Sequence, residues 1–154
     1  MSRKMQRRSF LQLAAVAGMF PLGVLANTGA PIIEVYKSAS CGCCTQWVDH
    51  LQKNGFVVNA HNVPNTAAYR TRLGVPAALG SCHTGTIGGY AIEGHVPADD
   101  IRRLLKEKPL AVGLAVPQMP MGSPGMEGPR TDAFDVLLVE KDGSQSVYRH
   151  YAAR

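Results

Sequence analysis

Ile32-Ile33-Glu34-Val35-Tyr36-Lys37-Ser38-Ala39-Ser40-Cys41-Gly42-Cys43-Cys44-Thr45-Gln46-Trp47-Val48-Asp49-His50-Leu51 changes its period halfway along. The opening residues, Glu34 apart, are β-branched or aromatic, the composition of a buried strand. Ser38-Ala39-Ser40 interrupts that run. From about Cys44 to Asn54 the apolar residues Trp47, Val48 and Leu51 recur at helical spacing. Asn54-Gly55 supplies a helix stop. A strand thus gives way to a helix at a cluster of cysteines.

The flanking segments extend this pattern. Residues 56–61 read as a second strand, and Asn65 suits the N-cap of a short helix through Leu73, ended by Gly74 and Pro76. Residues 82–87 and 90–93 predict a hairpin turning at Gly88-Gly89. Pro97 fits the first turn of a third helix, with Asp99 and Asp100 near its positive end and Ile101, Leu104 and Leu105 on its apolar face. Lys106 and Lys108 complement the far end, and Pro109 closes it. The order βαβαββα predicts an α/β, thioredoxin-like core. Residues 111–131 are dense in Pro, Gly and Met without periodicity and predict a loop, either functional or disordered. Residues 135–140 and 146–151 flank Lys141-Asp142-Gly143 and predict a C-terminal β-hairpin.

The N-terminus belongs to a different category. Arg3, Lys4, Arg7 and Arg8 form a basic head, the largely apolar run 11–26 follows, and Val24-Leu25-Ala26 offers a cleavage site. This layout predicts a signal peptide over residues 1–26 and a mature domain over 27–154. Arg7-Arg8-Ser9-Phe10-Leu11 adds a twin-arginine signature, which predicts export in the folded state. The run falls short of the ~20 residues needed to span a bilayer, so no stable membrane insertion is expected after cleavage. Of the chain's 16 Lys and Arg, four lie in this head; without them the balance against 11 Asp and Glu is +1. No basic stripe interleaved with aromatics remains, which argues against a nucleic-acid partner.

All four cysteines follow the signal, and three crowd into Cys41-Gly42-Cys43-Cys44. A structural staple spreads its cysteines to close loops; this chain concentrates them. At a helix start the sulfurs meet unpaired backbone N–H groups and the positive end of the helix dipole, which favour thiolate over thiol. Thiolates bind soft metals and attack disulfides. Disulfide exchange needs two sulfurs, whereas a third adjacent one can bridge metal ions. Cys82-His83 falls about where a thioredoxin-type fold brings its third strand beside the helix, and could add a sulfur and an imidazole. Met119, Met121 and Met126 are the mature chain's three methionines, and thioether suits Cu(I). The predicted ligand set is therefore Cys41, Cys43, Cys44, Cys82, His83, Met119, Met121 and Met126, with copper as the metal. Trp47 reads as core, His50 as solvated, and His61 and His95 as element ends that could approach the site.

Val35-Tyr36-Lys37-Ser38 leading into the cysteines, Gly74-Val75-Pro76, Ser81-Cys82-His83-Thr84, Gly88-Gly89-Tyr90, Glu93-Gly94-His95-Val96-Pro97 and Met119-Pro120-Met121-Gly122-Ser123-Pro124-Gly125-Met126 together resemble the CopG-type copper-resistance proteins. The resemblance spans essentially the whole mature chain, and the four cysteines match the family's cysteine positions. It implies a periplasmic, thioredoxin-like protein with a polynuclear, cysteine-bridged site for several copper ions per monomer. It also implies a role in surviving excess copper, interconversion of Cu(I) and Cu(II), and other periplasmic copper-handling proteins as partners.

Two other readings stand beside this one. A thiol–disulfide oxidoreductase would use Cys41 and Cys44, with Pro76 in the part of the proline that flanks such sites. A zinc site would use the four thiolates and leave the methionines without a purpose.

Overall fold

Ile33 and Val35 are fully buried while Glu34 and Tyr36 between and beside them are half-exposed, so β1 (Ile32–Lys37) separates two unequal layers. The computed structural model describes residues 31–154; the expected signal segment lies outside them. From β1 the chain runs into α1 (Gly42–Lys53), β2 (Val57–Asn62), α2 (Thr66–Arg72), β3 (His83–Ile87), β4 (Tyr90–Gly94), α3 (Ala98–Glu107), β5 (Ala111–Val116), β6 (Phe134–Glu140) and β7 (Gln145–Tyr151). A single 3-10 turn at Ala77–Leu79 precedes β3, with Pro76 as its N-cap.

The fold is mixed α/β. Seven strands form one sheet in the order β2-β1-β3-β4-β5-β6-β7. The pairs β1/β2 and β4/β5 are parallel, and the remaining neighbours are antiparallel. Trp47, Val48 and Leu51 of α1, with Ile101 and Leu104 of α3, share the main core with Ile33, Val35, Ile92, Leu114 and Val116. Ala91 and Ala115 alternate with the last three and point to the opposite face, where they meet Val75, Leu79 and Val139.

Local chemistry sets the helix ends. Asn65 caps α2 as expected, its Oδ1 accepting from Ala68 N–H at 3.4 Å. Pro97 stands just outside α3 as its N-cap, and Lys108 ends that helix in a left-handed conformation. His50 is half-buried and accepts from Ala98 N–H at 3.2 Å, so it caps α3 where a solvated side chain was expected.

The expected loop over residues 111–131 is in part a strand. Ala111-Val112-Gly113-Leu114-Ala115-Val116 is apolar throughout because β5 is covered on both faces, and such strands show no alternation. Gly113 faces Ala91, and a Cβ there would stand 1.8 Å from the Ala91 carbonyl oxygen, so only glycine allows the β4/β5 approach. This strand joins the expected C-terminal hairpin β6–β7 to the rest of the sheet. The irregular segment shrinks to residues 117–133, and its middle part lies against the start of α1.

Candidate metal centre

Three backbone segments converge here. Cys41 is the N-cap of α1, in an extended conformation, and its side chain makes no capping hydrogen bond among the described residues, so the cysteine cluster sits at the helix end that carries unpaired N–H groups. Cys82 directly precedes β3, and His83 opens it beside Lys37 of β1. The β3/β4 ladder pairs Thr84 with Glu93. Two steps outward along the same register, Cys82 comes opposite His95.

Cys41 and Cys44 are joined as a disulfide, with Cα atoms 5.4 Å apart, while Cys43 and Cys82 are free thiols. Cys43 Sγ lies 3.4 Å from Cys41 Sγ, 4.0 Å from Cys82 Sγ and 3.9 Å from Met119 Sδ. Cys82 Sγ in turn lies 3.3 Å from His83 Nδ1 and 3.2 Å from His95 Nε2. The donor atoms of Cys41, Cys43, Cys44 and Cys82 all fall within 4.8 Å of one another, and so do those of Cys82, His83 and His95. Cys82 belongs to both sets.

Burial controls the protonation states. It pushes the Cys82 thiol up to about 12, with the neighbouring Cys43 adding to the rise and the Ser81 hydroxyl opposing it. It pushes His83 down to about 3, reinforced by His95 and opposed by the Gly94 carbonyl. His95 is lowered too, by burial first, with the Pro124 carbonyl acting the other way. Both imidazoles are therefore neutral and keep a lone pair for a ligand. His83 is fully buried against the Trp47 ring, 4.2 Å between centroids, and among the described residues its Nε2 has no hydrogen-bond partner. The nitrogen that faces the sulfurs is Nδ1, and with the proton on the buried Nε2 its lone pair is free for a soft metal ion beside Cys82.

A polar frame holds Cys82 from behind the ladder. Glu93 is fully buried and accepts from Ser81 N–H at 2.6 Å, Arg70 Nε at 2.8 Å and the Thr84 hydroxyl at 2.6 Å. Arg70 also donates to the Ser81 carbonyl at 2.7 Å. Both main-chain groups of the residue before Cys82 are thereby occupied.

The structure sorts the expected residues unequally. It brings together Cys41, Cys43, Cys44, Cys82, His83 and Met119. Met121 and Met126 are half-buried in the same segment, but among the described residues neither sulfur contacts the cluster as Met119 does. His61 stacks on Tyr36 and pairs with Glu34 on the edge strand, away from the cluster. His95 joins the site although its spacing alone did not demand it. The signal was present in the expected hairpin, because a two-residue turn at Gly88-Gly89 pairs Ile87 with Tyr90 and, counting outward, Cys82 with His95. Trp47 is core as expected and also donates its indole N–H to the Val96 carbonyl at 2.9 Å.

Fold and site together define an α/β protein whose cysteine and histidine cluster can hold metal. Two solved structures described as copper resistance protein CopG, in form 2 and form 1, align with TM-scores of 0.76 and 0.75. Each is 50% identical, covering 79% of this chain and 98% or 97% of its own. The family described as a protein of unknown function, DUF411, matches residues 79–126. No curated protein sequence matches the chain. The chain belongs to the CopG family of copper resistance proteins.

Proposed function

We propose that this chain is an exported copper-binding protein of copper resistance that holds a polynuclear, cysteine-bridged site for several copper ions. The observation that carries this reading is the overlap of a four-sulfur set and a Cys–His–His set at Cys82, with the Met119 thioether beside Cys43. A cysteine sulfur shared between two donor sets is suited to bridging once metal displaces its proton, and sulfur with imidazole suits copper in both common oxidation states. Cys41, Cys43, Cys44, Cys82, His83, His95 and Met119 would hold the metal, and Met121 and Met126 would join when the segment adjusts. With Cys41 and Cys44 oxidised, two of the sulfurs are withdrawn; reduction returns them.

That disulfide supports interconversion of Cu(I) and Cu(II). Closing it from two thiols releases two electrons and two protons, enough to convert two Cu(II) to Cu(I). The order β2-β1-β3-β4, with a cysteine pair at the start of α1, supports a thioredoxin-like ancestry for this chemistry. Export through residues 1–26 and a periplasmic location belong to the same reading, with other periplasmic copper-handling proteins as partners. Among the described residues no helix is long and apolar enough to cross a membrane.

Anaerobic Cu(I) loading of the fully reduced protein tests the binding proposal. Several ions per chain are expected, with a marked loss in Cys43→Ser and Cys82→Ser. A stoichiometry of one ion or fewer would overturn it. Anaerobic addition of Cu(II) tests the redox part: thiol titration should show one disulfide formed for every two Cu(I) produced.

The Cys41–Cys44 disulfide also favours a second reading, a thiol–disulfide oxidoreductase. Metal-free protein that reduces insulin, with that activity retained in Cys43→Ser, would favour it over copper binding. Pro76, which this reading would place beside the cysteine pair, is the N-cap of the 3-10 turn at Ala77–Leu79.

A further inference from the structure

A histidine can offer one nitrogen to a metal only if the proton sits on the other. His95 Nδ1 lies 2.7 Å from the Pro124 carbonyl oxygen. A carbonyl only accepts, so Nδ1 carries the hydrogen and the bare Nε2 faces Cys82 Sγ at 3.2 Å. The position of the Pro124 carbonyl therefore decides what His95 presents to the site.

That position depends on the next residue. Gly125 has a φ of +84°, in the region that favours glycine, and its backbone rests on the first turns of α1. A Cβ at this position would stand 2.7 Å from the Cys43 carbonyl oxygen, 2.7 Å from Trp47 N and 3.2 Å from Trp47 Cα. All three are helix backbone and cannot swing aside. Gly125 N–H donates to Glu127 Oε1 at 2.9 Å, Met126 N–H donates to the Ser123 carbonyl, and the Met126 carbonyl accepts from Gly122 N–H, so the turn is held as a unit.

We propose that Gly125 is a positioning residue for the metal centre. Its bare backbone lets the segment seat on α1, and this seat holds the Pro124 carbonyl where it selects the His95 tautomer with Nε2 free toward Cys82. The role of His95 as a ligand rests on the copper-binding reading; the selection of its tautomer does not.

Histidine ¹⁵N NMR of the reduced, metal-free protein, paired with Cu(I) affinity measured against a competing chelator, tests the proposal. Wild type is expected to show His95 protonated at Nδ1. Gly125→Ala is expected to shift or mix the tautomer and to weaken Cu(I) binding roughly 10–100-fold, the usual cost of losing a partner behind a metal ligand. Gly128→Ala serves as the control in the same segment, because its Cβ would meet only the flexible end of Met121. It should leave His95 protonated at Nδ1. Pro124→Gly adds no volume and loosens the same carbonyl, so it should mix the tautomers and decides the matter if Gly125→Ala does not fold. A folded Gly125→Ala with His95 still protonated at Nδ1 would overturn the proposal. A shifted tautomer with unchanged Cu(I) affinity would instead remove His95 from the ligand set and leave the positioning of the ring intact.

Discussion

Arg70 Nε lies 2.8 Å from Glu93 Oε1, and this ion pair ties α2 to β4 through the carboxylate that also holds the Ser81 N–H. Glu93 is fully buried and the Arg70 side chain is 12% exposed, so the pair sits where screening by water is weak. Removing one partner of such a pair costs about 3–5 kcal/mol, because the other is left as an uncompensated buried charge.

Arg70→Met should therefore lower the melting temperature by roughly 10 °C for a domain of this size. Arg70→Met combined with Glu93→Leu should recover part of that loss, since no charge is then buried alone. Thermal unfolding followed by circular dichroism measures both. A single variant that melts with wild type would show that Ser81 and Thr84 satisfy Glu93 by themselves.

Trp47 is the chain's single tryptophan, and its ring lies 4.2 Å from His83. Its emission should report directly on occupation of the site and fall as copper is titrated in. Unchanged emission at full loading would take His83 out of the ligand set. Trp47→Phe keeps the packing but leaves the buried Val96 carbonyl without its donor, a loss of about 1–3 kcal/mol in chemical denaturation.

Gln118 has a φ of +63°, held by hydrogen bonds from the Ser81 hydroxyl to its carbonyl and from its own N–H to Gly80. A non-glycine residue in that region stores about 1 kcal/mol of strain, here one position before Met119. Gln118→Gly should match or exceed wild-type stability by up to about 1 kcal/mol. Gln118→Val should lose about 1–2 kcal/mol, because a β-branched residue tolerates positive φ poorly. Equal stability of the two variants would contradict the strain argument.

Asp100 is fully buried and accepts from Tyr151 Oη at 2.7 Å and from Arg149 at 3.2 Å, which fastens β7 to α3. The Tyr151 phenol is pushed up from its ordinary 10 to about 12, by burial first and then by the bond to Asp100. Folding thus favours its neutral form. The stability it contributes is complete below about pH 10 and is lost as pH rises toward about 12. Tyr151→Phe should cost about 1.5–3 kcal/mol near neutral pH and flatten part of the alkaline fall in stability. Tyr148 is shifted in the same direction, so some of that fall should persist. Denaturation midpoints across the alkaline range give the comparison.

Legibility followed the range of the interactions. Period and punctuation placed β1, α1, β2, α2, the β3–β4 hairpin, α3 and the C-terminal hairpin, because each depends on neighbours a few residues away. β5 was missed because its apolar run carries no alternation, and only the layers on both sides explain that composition. His50 was misplaced for a similar reason: the N–H it caps belongs to α3, 48 residues away. His95 could have been reached by counting along the hairpin. Nothing local marks Pro124 as its partner, since that contact requires the segment after β5 to return to α1.

The amino-acid sequence by itself determined the donor chemistry of this protein: three cysteines at a strand-to-helix junction, a fourth ahead of a hairpin, and thioethers held in a Pro- and Gly-rich segment. Residue type and short spacing suffice for that, because softness and acidity belong to individual groups and to the helix start that carries them. Tertiary structure alone decided which donors meet. It set Cys82 between two donor sets, brought Met119 and not Met121 or Met126 to Cys43, and turned Nε2 of His95 inward. Those choices rest on sheet register, on the burial of Glu93 and on the close approach of Gly125 to α1, which arise only when distant segments exclude water together.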